Sequence, residues 1–172
     1  MCDLGKLTHL HGAITRFYAK ETALLDDGDL KSWLKLFADD IRYTMPMRES
    51  VQGEDAVDLI DREGLQFYLF NDDKESLELR VERLYTGLAP GETPPSVTQR
   101  LVTDILLTDT STDEVEVRSS FLVFQVRHDF HETIFAGRRM DRLRPMDDDF
   151  QIARRKILLA QSVLPRTVSI FF

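Results

Sequence analysis

Apolar residues recur at three- and four-residue steps in the first part of the chain and at two-residue steps in the rest. Leu7, Leu10, Ile14, Phe17, Leu24 and Leu25 share one stripe of a helix from about Thr8 to Asp27, which Gly28 ends. Asp29 then reads as the N-cap of a second helix carrying Leu30, Trp33, Leu34 and Phe37. At Ile41 the period drops to two, with Ile41, Tyr43, Met45 and Met47 on one face of a strand. Pro46 cannot donate to a ladder, so this strand lies at a sheet edge or ends there. Residues 50–70 mix acidic and apolar positions without a period and stay unassigned. From Asn71 a third helix is expected, with Asp72 and Asp73 in its first turn, a stripe of Leu77, Val81 and Leu84, and Gly87 after its last turn.

Beyond the loop LAPGETPP, residues 88–95, the pattern is strand-like throughout. Val97–Leu107, Glu114–Arg127, Glu132–Arg144 and Phe150–Gln161 form four segments separated by the turn sequences TDTSTD, HDF and MDDD, which reads as an antiparallel meander. Phe121–Val126 is apolar on both faces apart from Gln125, which makes its strand an interior one. Val168–Phe172 supplies a short last strand. Helices first and a meander second give the α+β class, with helices covering one face of the sheet.

A chain of 172 residues with 42% hydrophobic and 30% charged positions fits one folded domain, 1–172, with residues 1–13 as a mobile N-terminal segment. The net charge of −8 opposes attraction to nucleic acid or an anionic membrane. Arg138, Arg139, Arg142, Arg144, Arg154, Arg155 and Lys156 cluster, but acids interleave or flank them, so a local ion-pair network is expected. A single cysteine, Cys2, builds no disulfide within one chain, and the start carries neither a signal peptide nor a spanning segment; a cytoplasmic protein is expected.

Among candidate chemical residues Glu21 stands out, because it falls on the apolar stripe of the first helix between Phe17 and Leu24. A carboxylate there is paired or borders a cavity. The two readings are an ion pair with one of the sheet arginines, such as Arg42 or Arg139, and a general base in a pocket. Tyr43 joins Glu21 in the catalytic alternative. Trp33, Tyr43, Met45 and Met47 read as core, or as the lining of an aromatic-binding cavity. His9, His11, His128 and His131 lack metal-ligand spacing, and the acid pairs Asp26/Asp27, Asp39/Asp40 and Asp147–Asp149 sit where elements begin, end or turn. The closing VSIFF poses a different problem. Terminal rings are wasted unless something covers them.

Several stretches together resemble the small, or β, subunit of aromatic-ring-hydroxylating (Rieske non-haem iron) dioxygenases: ETALLDDGDLKSWLKLFADDIRYTMPMRES, NDDKESLELRVERLYTG, FAGRRMDRLRP, FQIARRKILLAQSVL and SIFF, covering roughly Ile14 to Phe172. The resemblance implies the cone-shaped, ketosteroid-isomerase-like (cystatin-like) fold, with N-terminal helices on a curved, mainly antiparallel sheet. It implies no cofactor and no catalytic residue in this chain, and a homotrimer within a heterohexamer of three large and three small subunits (α3β3). The large subunit would carry the Rieske [2Fe-2S] cluster and the mononuclear Fe(II), with electrons from NADH and O2 as oxidant, in aromatic hydrocarbon catabolism. In that assembly Ile170, Phe171 and Phe172 would be covered by a neighbouring subunit. The alternative is a free-standing cone-fold dehydratase or isomerase acting on a small apolar substrate through Glu21 or a histidine in the cone.

Overall fold

Helix α1 spans Leu4–Asp26 and buries Ile14, Phe17, Tyr18, Glu21 and Leu25 on one stripe. The computed structural model describes residues 4–47, 67–87, 92, 94–127, 131–147, 149–161, 164 and 168–172. α1 starts about a turn before the periodicity indicates and takes in most of the stretch read as an N-terminal segment. Gly28, at φ +73°, turns the chain where a Cβ would be strained. Asp29 caps α2 (Leu30–Leu34) by accepting from the Ser32 amide at 3.1 Å. Phe37 lies in a strand rather than on this short helix.

Strands β1 (Phe37–Pro46), β2 (Tyr68–Asp72), β3 (Val97–Asp109), β4 (Val115–Arg127), β5 (His131–Met146) and β6 (Asp149–Leu159) form one sheet in the order β2-β1-β6-β5-β4-β3. The β3–β6 run is the expected antiparallel meander, with β4 inside it. β1 lies one strand in from the edge, antiparallel to β2 and parallel to β6, and Pro46 ends it. The parallel pairing of β1 with β6 ties the helical half of the sequence to the meander. α3 (Lys74–Tyr85) follows β2, capped by Asp73, which accepts from the Ser76 amide at 2.9 Å. Asp72 is thus a strand residue and not part of the helix's first turn; its carboxylate meets Arg80 at 2.6 Å. The unassigned stretch 50–70 lies outside the described residues up to 66.

Alternation sends one face of every strand to the core. Ile41, Tyr43 and Met45 of β1, Val115, Val117, Phe121 and Val123 of β4, Phe135 and Leu143 of β5, and Ile152, Ile157 and Leu159 of β6 are buried there against α1, Trp33 and α3. Gly137 permits a close approach of β5 to its neighbours: a Cβ there would clash with the Leu158 carbonyl oxygen and meet Phe121 Cζ at 2.8 Å.

The tail Val168–Phe172 is not a strand. It folds back onto the core face, leaving Ile170, Phe171 and Phe172 only 8, 4 and 2% exposed. Phe171 stacks at 4.6 Å from Trp33, and Phe172 lies 5.4 Å from Phe121 and 5.5 Å from Phe135. The rings are covered by their own chain, which removes the reason for placing them at a subunit interface.

Candidate functional site

The space enclosed by α1, α2 and the inner sheet face holds a charge cluster built from five elements. Glu21 enters from α1, Trp33 from α2, Tyr43 from β1, Arg139 and Asp141 from β5, and Arg155 from β6. Cross-strand register explains the grouping, because Tyr43 pairs with Arg155 across β1–β6 and Arg155 with Asp141 across β6–β5. Residues directly opposite point to the same face.

Arg155 is fully buried, and every guanidinium N–H has an acceptor. Nε and Nη2 fork onto Asp141 at 2.9 and 2.8 Å; Nη1 and Nη2 fork onto Glu21, and Nη1 also reaches the Phe172 main-chain oxygen at 2.9 Å. Glu21 takes two further donors, Trp33 Nε1 at 3.2 Å and Arg139 Nη1 at 3.2 Å. The Arg139 guanidinium lies over the Tyr18 ring at 4.8 Å, and the Tyr18 hydroxyl donates to Asp141 at 2.8 Å. Two carboxylates thus face two guanidiniums. The charges of this set balance and Arg155 is fully bonded, whereas Arg139 bonds through Nη1 alone and leaves Nε and Nη2 buried without a hydrogen-bond partner among the described residues.

The electrostatics follow. Burial alone would raise the Glu21 carboxyl, but Arg155 and then Arg139 outweigh it and hold the pKa at about 2. Burial pushes the Tyr43 phenol up to about 12 against the pull of Arg155. Burial and then the neighbouring Asp141 push Tyr18 up as well. Burial works against the Arg155 cation, and Asp141 and Glu21 more than restore it. At neutral pH Glu21 is an ionised, fully engaged carboxylate and Tyr43 a neutral phenol. A carboxylate this weakly basic takes a proton poorly, since general bases work best with a pKa near the operating pH.

Of the two partners expected for Glu21, Arg139 is present and Arg42 is not: Arg42 is exposed on the outer sheet face. Arg155, expected from the sequence in a local ion-pair network but not singled out as Glu21's partner, is the second one. Trp33, Tyr43 and Met45 are core, whereas Met47 is 53% exposed. His9, His11 and His131 are exposed and apart, His11 Nε2 lying 2.9 Å from the Ile105 carbonyl; His128 falls outside the described residues. Among the described residues no three His, Cys, Asp or Glu side chains converge as a metal-ligand set. Of the acid pairs, Asp26 pairs with the buried Arg100, Asp40 with Arg144 at 2.9 Å and Asp149 with Lys20 at 2.6 Å.

The tail is stitched to this cluster and to a second one. Arg100 pairs with Asp26 and donates through Nη2 to the Phe171 carbonyl at 2.9 Å. Glu92 accepts from the Ser96 amide at 2.9 Å and from the Ser169 hydroxyl. Between the tail, the α1–α2 turn, the end of α3 and the start of β3 remains a cavity of about 320 Å³, bordered by Leu25, Leu30, Leu84, Tyr85, Arg100 and Phe171. Glu21 and Tyr43 do not border it; Phe171 stands between.

The sequence profile of the family described as "Ring hydroxylating beta subunit" matches residues 20–166. The chain is 37% identical over 161 residues to the β subunit of 3-phenylpropionate/cinnamic acid dioxygenase from Photorhabdus laumondii, covering 90% of this chain and 87% of that one. Among solved structures it is similar to naphthalene 1,2-dioxygenase with indole bound, at TM-score 0.81, 18% identity, 99% coverage of this chain and 88% of the other. It also superposes on a scytalone-dehydratase-like protein from Novosphingobium aromaticivorans at TM-score 0.64, 16% identity, with 94 and 92% coverage. The latter two show the fold: the α+β cone with N-terminal helices on a mixed sheet.

Proposed function

The chain belongs to the family of ring-hydroxylating dioxygenase β subunits, and from that membership we propose that it acts as a non-catalytic support for an iron-bearing large subunit. The large subunit would hold the Rieske [2Fe-2S] cluster and the mononuclear Fe(II), take electrons originating from NADH, and insert O2 into an aromatic substrate. A homotrimer of this chain would carry three large subunits in a cytoplasmic heterohexamer.

One observation carries the non-catalytic reading. The interior of the cone is occupied by Phe171 and Phe172 and by a charge cluster whose carboxylates, Glu21 and Asp141, are taken up by its own guanidiniums. A catalytic cone needs convergent polar groups facing an apolar cavity. Here Glu21 is held by two guanidiniums and an indole, and the Tyr43 hydroxyl is held by the Phe172 main chain.

The fold is shared with a dehydratase-like protein, which keeps a free-standing dehydratase or isomerase as the second reading. It requires Glu21 or Tyr43 to reach a substrate. The two readings separate in a reconstituted complex containing Glu21→Gln: the support reading expects lower stability with turnover per assembled complex retained, and the catalytic reading expects turnover to collapse.

A further inference from the structure

The outer face of the sheet carries a charge opposite to that of the chain as a whole. Strand alternation places Arg42, Arg118, Arg138, Arg154 and Lys156 on it, the four arginines exposed and the lysine half-buried. Register sets cations side by side: Arg42 is opposite Arg154, which is opposite Arg142, while Lys156 and Arg118 flank Met140. Arg142 is matched by Glu116 at 2.6 Å. The other five make no close ion pair among the described residues, although Arg42 lies near enough to Asp73 to act on its carboxylate. Like charges directly opposite on a sheet repel, and a basic band in a chain of net charge −8 is a localised field that attracts acidic surface. Beside the band the same face turns apolar, where Leu122 lies opposite Leu101, 36 and 59% exposed.

The complement lies on α3. Glu75, Glu78, Leu79 and Glu82 follow i, i+3, i+4, i+7 spacing along its exposed stripe, with Leu79 55% exposed and Arg83 at the margin. α3 packs at the β1–β2 end of the sheet and buries Leu77 and Val81 in the core, so it lies on the side opposite to the basic band. The α3 stripe thus sets an apolar residue among acids, and the basic band has an apolar pair at its side, so the two patches match in make-up and are opposite in sign.

We propose that the basic band of one copy of this chain receives the acidic α3 stripe of the next. Two unlike patches make the contact head-to-tail, and such contacts form a ring when the rotation closes. The inference rests on the assembly reading above, which supplies the ring.

Sedimentation velocity tests it. The wild-type chain at low salt should form a trimer-sized species whose association weakens about tenfold or more as salt rises to roughly half molar, since screening shortens the reach of exposed charges. Reversing the band with Arg118→Glu and Arg154→Glu, or the stripe with Glu78→Arg and Glu82→Arg, should give monomers with unchanged circular dichroism and melting temperature, because these side chains are exposed. A chain carrying both reversals should assemble again. A wild-type monomer at low salt, reversed variants that assemble like wild type, or a doubly reversed chain that stays monomeric would each overturn the contact. Co-purification with a large subunit keeps the two readings apart: a chain that binds the large subunit but fails these tests loses this contact and keeps its assignment.

Discussion

Tyr43 grips both polar groups of Phe172, its hydroxyl donating to the main-chain oxygen and accepting from the amide N–H, each at 3.0 Å. The phenol on a core strand is therefore a fastening for the tail. Phe substitution would leave the ring and remove both bonds. Leaving buried polar groups without partners costs about 1 to 3 kcal/mol, so Tyr43→Phe should lower the urea midpoint by a corresponding amount. An unchanged midpoint would mean that the fastening does not contribute.

Phe172 fills space between Phe121 and Phe135 within its own chain. Truncating a buried phenylalanine costs about 3 to 5 kcal/mol, so Phe172→Ala should destabilise the fold on that scale while leaving the subunit count unchanged in sedimentation. Dissociation of the assembly with unaltered thermal stability would instead return these rings to an interface.

Glu21→Gln removes the carboxylate that two guanidiniums share. Breaking a buried ion pair from one side costs about 3 to 5 kcal/mol, because a charge is left uncompensated. Calorimetry on the variant should show a loss of that order. A loss within the range of an ordinary surface substitution would show that water or rearrangement replaces the missing charge.

Acid should act through the same group. The Glu21 pKa is about 2 in the folded chain against an ordinary 4.5, so the unfolded chain takes up this proton first. The stability it contributes is complete above about 4.5 and drains away as the pH falls toward about 2. Denaturant midpoints for wild type should drop across that window, and those for Glu21→Gln should drop less. Equal slopes for the two proteins would remove Glu21 from the acid response.

The contrast between Glu21 and Arg155 shows how far the sequence could be read. A carboxylate on an apolar helical stripe is conspicuous, so Glu21 and its need for a cation were legible. Arg154, Arg155 and Lys156 look alike along the chain, and only the register of β6 beside β1 and β5 turns Arg155 inward and its neighbours out. That register was not legible, since parallel pairing of β1 with β6 joins distant segments through no local turn. The meander strands were legible from alternation alone. Asp72 and Asp73 read equally well as a first helical turn, and it was the pairing of β2 with β1 that divided them between strand and cap. The apolarity of Ile170, Phe171 and Phe172 correctly signalled a need for cover; its source, the chain's own cone, depends on packing that no local pattern reveals.

On the proposed function, this β subunit supports a large subunit's chemistry and performs none itself. The most direct test is to express the large subunit of the same assembly with and without this chain and to measure substrate-dependent O2 consumption, alongside this chain alone. The account predicts that the two subunits co-purify, that turnover appears with the pair, and that the isolated chain consumes no O2 and transforms no substrate. Failure of the subunits to associate, or turnover by this chain alone, would contradict it.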